Sequence, residues 1–278
     1  VMRDCLYTRP VLLRTAIVIL ACSWLGACAT RPAERSARSF VPLTIGESFA
    51  IDSRILGEPR RINIFIPTIY GQPIDGPLPV LYMLDGGMDE DFLHIAGLVQ
   101  ILVSDGSVRP VMLVGIPNTV RRRDLTGPTV NPRDLAIAPV VGGSAKFRRF
   151  IGEELMPVVR RRYRTTDEAV IMGESLAGLF VVETCMLEPG LFRAGIAIDP
   201  SLWWSDRSLL RAPVPSPLPT LWMASSGEPE LARDAAAFAG RLAGIPGFRY
   251  IPMPGETHGT IYHPAALLAL RTVLAAAK

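Results

Sequence analysis

Apolar positions in this chain fall into two alternating patterns. Short unbroken runs occur at 79–84 (PVLYML), 110–116 (PVMLVGI), 169–172, 194–198 (AGIAI), 220–224 and 248–253. Runs of that length, bounded by turn residues, suit strands covered on both faces. Between them, residues 88–103, 147–163, 176–187, 231–243 and 264–277 repeat at helical spacing. Ahead of these, 48–55 and 60–67 flank Gly57-Glu58-Pro59 and read as an antiparallel pair. Strands alternating with helices after such a pair predict an α/β domain built on a doubly wound, mostly parallel sheet. No internal repeat is evident. Two connections are unusually long: 117–143, and the Pro-rich 200–219 that carries Trp203 and Trp204. On open sheets such loops lie over the carboxyl ends of the strands, where ligands bind.

The N-terminal pattern is different. Arg3, Arg9 and Arg14 precede an apolar run at 15–27 that is short for a bilayer span and suits a secretory leader. It ends in Leu25-Gly26-Ala27-Cys28, which resembles the lipobox of bacterial lipoproteins. That resemblance implies a signal peptide over 1–27, a lipidated Cys28 and a tether over 28–39, with the α/β domain at 40–278. A conventional signal peptide or a buried helix is the alternative. Two or more acyl chains would hold the protein to a membrane stably, and the expected location is the bacterial periplasm, anchored at the outer membrane.

Composition adds exclusions. Of the four cysteines, Cys5 and Cys22 leave with the leader and Cys28 carries lipid, so Cys185 remains alone and no intramolecular disulfide can form. It lies on an apolar helical stretch, as a small buried hydrophobe would. No metal-ligand spacing is present and no metal is expected. The net charge of +3 falls to about +1 once three arginines and one aspartate leave with the leader, which argues against nucleic acid as a partner. Arg160-Arg161-Arg162 ends a helix, where cations suit the dipole. Arg121-Arg122-Arg123 lies in a long loop and is either solvated or available to an anionic ligand.

The candidate chemistry centres on Gly173-Glu174-Ser175-Leu176-Ala177-Gly178. A strand entering Gly-x-Ser and leaving as a helix makes a nucleophile elbow, except that Ala177 replaces the second glycine of G-x-S-x-G and glycine follows one place late. The competing reading is a serine that caps a helix. A serine nucleophile needs a base and an acid, in the order Ser, acid, His. His94 falls within a helix and His263 opens the last one. His258, in the loop after the last strand, is the expected base. The acid is expected after the strand at 220–224, where Gly227-x-x-Glu230 proposes Glu230, with Glu228 as fallback; helix-opening carboxylates are the alternative. Oxyanion donors are expected from the amides of Leu176 and Gly87, the latter in Leu84-Asp85-Gly86-Gly87.

With those residues assembled, the chain resembles the putative esterase family of α/β hydrolases, which includes S-formylglutathione hydrolases and periplasmic siderophore trilactone esterases. The resemblance rests on ILGEPRRINIFIP (55–67), VLYMLDGG (80–87), RRDLTGP (122–128), GESLAGLF (173–180), IDPSLWW (198–204) and PGETHGTIYHPAALLALR (254–271). It implies the α/β-hydrolase fold and a cofactor-free serine esterase acting on a small-molecule ester through an acyl-serine. It departs from the trilactone branch at Glu174 and Ala177, where that branch has His and Gly. That branch also offers a Ser–His dyad with no acid. A ferric-siderophore substrate would set Arg123 and its neighbours against an anionic iron–catecholate, with Trp203 and Trp204 lining its aromatic groups. Acyl transfer to an envelope sugar or lipid, and a non-catalytic binding module, are the competing functions.

Overall fold

The computed structural model describes residues 41–276. The expected leader, Cys28 and tether therefore lie outside the described residues. From Thr44 onward the chain forms one unit. Eight strands make one sheet in the order β1-β2-β4-β3-β5-β6-β7-β8. They are β1 Glu47–Ser53, β2 Glu58–Phe65, β3 Leu78–Leu84, β4 Met112–Ile116, β5 Thr165–Glu174, β6 Ala194–Ile198, β7 Thr220–Ser225 and β8 Phe248–Pro252. β1 and β2 are the antiparallel pair, β2 joins β4 antiparallel, and every other pairing is parallel.

The helices are α1 Phe92–Ser104, α2 Arg121–Leu125, α3 Pro132–Ile137, α4 Ser144–Phe150, α5 Met156–Arg162, α6 Leu176–Leu187, α7 Trp204–Arg207, α8 Pro229–Leu242 and α9 Tyr262–Val273. The helical pattern read at 147–163 is α4 and α5 joined through one π-helical stretch, Ile151–Leu155. The loop at 117–143 holds the short α2 and α3.

Why the strands read as unbroken apolar runs is visible in how they divide. In β3, Val80, Tyr82 and Leu84 join one core, and Leu81 and Met83 the other. The first core holds α4, α5, α6 and α8; the second holds α1 and α9. Successive side chains point to opposite faces, so a sheet covered on both sides needs apolar residues at every position. α6 is central and almost wholly enclosed: every residue of it except Leu187 is buried, Cys185 included, and its one charge, Glu183, is paired inside.

Charges also hold the layers. Arg60, 1% exposed, reaches the buried Asp124 of α2 and Glu58 of its own strand. Arg123 closes the group with two bonds to Glu58 at 2.7 and 3.0 Å and one to Asp124 at 2.7 Å. Behind α6, Arg148 bonds Glu183 and Glu188 at 2.7 Å each, and Ser144 donates to Glu183 at 2.6 Å.

Removing one partner of a buried ion pair leaves the other charged and enclosed. Asp124→Ala should therefore cost about 3 kcal/mol in urea unfolding. Arg54→Ala, which removes a 4.0 Å contact to Glu154 from a nearly fully exposed side chain, should leave the midpoint unchanged.

Candidate active site

β5 ends in Gly173-Glu174 and α6 begins at Leu176, so the chain reverses at Ser175. A Cβ at Gly173 would lie 2.5 Å from the Cβ of Ala177. One at Gly178 would lie 2.8 Å from the carbonyl oxygen of Ile198 and 3.2 Å from Pro200 Cα. The second glycine thus comes one place late because 178, not 177, is where α6 meets the end of β6. Ala177 packs back against Gly173 instead.

Ser175 takes φ +60° and ψ −120°, a conformation costly for a residue with a Cβ and typical of functional turns. Its N–H donates to the carbonyl of Ile198 at 3.0 Å. Its hydroxyl makes no capping bond to α6, which answers the helix-cap alternative. Instead it lies 3.1 Å from His258 Nε2 and 3.4 Å from Ser201 Oγ.

His258 stands in the loop after β8, as expected. Its backbone N–H donates to Glu228 at 2.9 Å, and its Nδ1 lies 2.7 Å from Asp199 Oδ2. Asp199 is fully buried, and its other oxygen accepts the N–H of Ser226 at 2.8 Å. The structure therefore corrects the acid. It is Asp199, directly after β6, and neither Glu230 nor Glu228; the site is not a Ser–His dyad. Glu230 opens α8, where it bonds Arg207 at 2.7 Å and lies 3.5 Å from Arg233. Glu228 holds the histidine loop by its backbone rather than the ring. The missed signal was a carboxylate closing a wholly apolar strand, AGIAI followed by Asp199-Pro200.

The hydrogen bond to Asp199 raises the pKa of His258 above its ordinary 6.5, against the opposing effect of partial burial. Burial pushes Glu174 up to about 7; His258 opposes that rise, and Asp91, Asp199 and Asp85 add to it. Glu174 Oε1 is enclosed without a hydrogen-bond partner.

The other expected residues divide. The amide of Leu176 opens α6 directly after the nucleophile. The amide of Gly87 does not stand free: it donates to Glu90 Oε2 at 2.7 Å while Glu90 N–H returns to the Gly87 carbonyl at 3.1 Å. This reciprocal pair closes the turn that leads into α1. Trp203 lines a cavity of about 380 Å³ with Ser175, Ser201, Glu228, Glu230 and His258. Trp204 does not; it is buried, and its indole N–H donates to the carbonyl of Gly127 at 2.9 Å. Arg123 is consumed by Glu58 and Asp124, so its expected role toward substrate is also corrected. A hollow of about 460 Å³ at Arg54, Glu153 and Glu154 contains none of these reactive groups.

A hydroxyl, an imidazole and a buried carboxylate in line are the parts needed for nucleophilic acyl chemistry. The fold is that of an α/β hydrolase: an IroE-like serine hydrolase from Shewanella oneidensis superposes with a TM-score of 0.72 at 29% identity, covering 82% of this chain and 80% of that one. The BES protein from Bacillus cereus matches in fold, with a TM-score of 0.72 at 20% identity over 85% of this chain and 98% of its own. The family described as "Putative esterase" matches residues 53–242, and the chain belongs to it. That match stops short of His258, which the geometry supplies. Among curated proteins, the ferri-bacillibactin esterase BesA of Bacillus subtilis is 32% identical over 168 residues, 55% of this chain and 58% of its own length. The siderophore triacetylfusarinine C esterase of Aspergillus fumigatus is 33% identical over 190 residues, 61% of this chain and 60% of its own. The chain thus spans about three fifths of the length of these two relatives.

A raised His258 pKa can be measured without substrate. In a proton NMR titration its ring should titrate above 6.5, and Asp199→Asn should move the midpoint down. A midpoint at or below 6.5 in the parent protein would contradict the Asp199 contact.

Proposed function

We propose that this protein is a serine carboxylic-ester hydrolase. The observation that carries the reading is the chain of contacts from Ser175 Oγ to His258 Nε2 at 3.1 Å and from His258 Nδ1 to Asp199 at 2.7 Å. Ser175 Oγ attacks the ester carbonyl as His258 takes its proton; Asp199 holds the ring's tautomer and stabilises the imidazolium. The Leu176 amide faces the negative charge that develops on the carbonyl oxygen. Collapse of the tetrahedral intermediate breaks the bond to the alcohol, which leaves with the proton from His258. Water, deprotonated by the same imidazole, then attacks the acyl-serine and releases the acid and the free hydroxyl. Ser175 and His258 are both partly open to solvent, which favours water over a second alcohol as acceptor.

Two finer readings accompany this one. The names of the relatives support a siderophore ester as substrate. The pattern Leu25-Gly26-Ala27-Cys28 after an apolar run supports a lipid anchor on the periplasmic side.

With aryl acetates, Ser175→Ala and His258→Ala should each lower kcat/KM by about 10³-fold or more, and fluorophosphonate labelling should vanish in Ser175→Ala. Asp199→Asn should lose at least about 10²-fold, while Glu230→Gln stays within about twofold. Full activity in either the Ser175 or the His258 variant would refute the mechanism. For the anchor, radiolabelled palmitate should enter the full chain in a bacterial host and fail to enter Cys28→Ser; equal incorporation would disprove it.

A further inference from the structure

The charges around the nucleophile do not match a polyanionic substrate. Among the described residues no arginine lines the cavity, and those nearest the site are paired with carboxylates; Arg122 of the 121–123 run is exposed and bonds only the Ile137 carbonyl, at 3.5 Å. Arg121 makes two bonds of 2.7 Å to Asp85. Arg123 is held by Glu58 and Asp124. Arg207 bonds both oxygens of Asp234 at 2.9 Å and Glu230 at 2.7 Å, so its single charge is shared by two carboxylates. Among the residues lining the cavity, His258 is the one group that can become cationic, and a general base must be neutral to act.

The carboxylates are less fully matched. Glu228 lines the cavity and accepts only the backbone N–H of His258; among the described residues no arginine or lysine pairs with it. Asp199 lies beneath the imidazole, and its bonds come from neutral donors when His258 is unprotonated. Glu174 adjoins the nucleophile, but its unpartnered oxygen is enclosed and burial favours its neutral form, so it adds little charge to the cavity. Glu230 also lines the cavity but is shared with Arg207 and Arg233, and the rest of the wall is Ser201, Pro229, Leu231 and Trp203, an indole being a surface that attracts cations.

We propose that this cavity selects esters by charge: it takes an acyl group bearing a cation, held between Glu228 and Trp203, accepts a neutral one, and turns away an anion. The proposal rests on the hydrolase reading above and names its substrate class. Among iron chelates it favours neutral tris-hydroxamate esters over trianionic tris-catecholates.

The test compares three p-nitrophenyl esters of similar shape: 4-(trimethylammonio)butanoate, its neutral isostere 5,5-dimethylhexanoate, and the half-ester of glutarate. The expected order of kcat/KM is cation, neutral, anion, with about tenfold between the extremes at low salt. The spread should narrow as ionic strength rises, as screening requires. Glu228→Gln keeps an oxygen for the His258 amide and removes only the charge, so the cation-to-anion ratio should fall several-fold. Equal rates for all three esters, an anion preference, or an equal loss on all three in Glu228→Gln would overturn the proposal. Turnover without charge order removes this inference alone. Absence of turnover on every ester, with no fluorophosphonate labelling, removes the hydrolase reading and this one with it.

Discussion

Between β5 and α6 the chain turns back with no space for a side chain at Gly173 or Gly178. That steric limit organises the rest of the sheet's carboxyl edge. It forces Ser175 into positive φ, which lifts its hydroxyl away from the helix end it would otherwise cap. It also presses α6 onto the end of β6, where Ile198 receives the Ser175 amide. From there the edge is tied strand to strand. Asp199 N–H bonds Ala224, Met253 N–H bonds Ser225, and Gly227 N–H bonds the Glu256 carbonyl, all at 2.8 Å. The base reaches the nucleophile through three backbone crossings, although 83 residues separate them.

Arginine serves this protein as a strut. Arg60 and Arg123 fasten the loop after β4 to β2, Arg148 fastens α4 to α6, and Arg207 fastens α7 to α8. A guanidinium offers several donors in a fixed plane, which suits bridging two carboxylates across a layer boundary. None of these four arginines lines the cavity, whose ionisable walls are Glu228, Glu230 and His258.

The sheet was legible because strands covered on both faces cannot alternate, and their runs stand out against helical spacing. Ser175 and His258 were legible through local turn chemistry and chain order, and the structure sets them 3.1 Å apart. The acid was not, because the choice between the edges of β6 and β7 is a matter of which strand lies beside the nucleophile. The spacing from Gly227 to Glu230 carries no information on that. Arg123 gave no sign that its partner would be Glu58, which is close only after β2 meets β4. The capture of the Gly87 amide was not marked by any helix-cap signal, since Gly87 and Glu90 both precede the helix N-cap at Asp91. The π-helical stretch between α4 and α5 left no mark in the hydrophobic pattern.

The adjacent tryptophans divide labour but remain coupled. Trp204 is sunk in the core and tethered to Gly127, while its neighbour Trp203 forms cavity wall. Trp204 supplies most of the anchorage and Trp203 the contact with the cavity. Trp203 still leans on the core and on the Trp204 ring, 5.8 Å between centroids, so a change of cavity wall at 203 is felt first by the residue that seats the loop. Substrate contact and loop anchorage are therefore mechanically linked through one pair of rings.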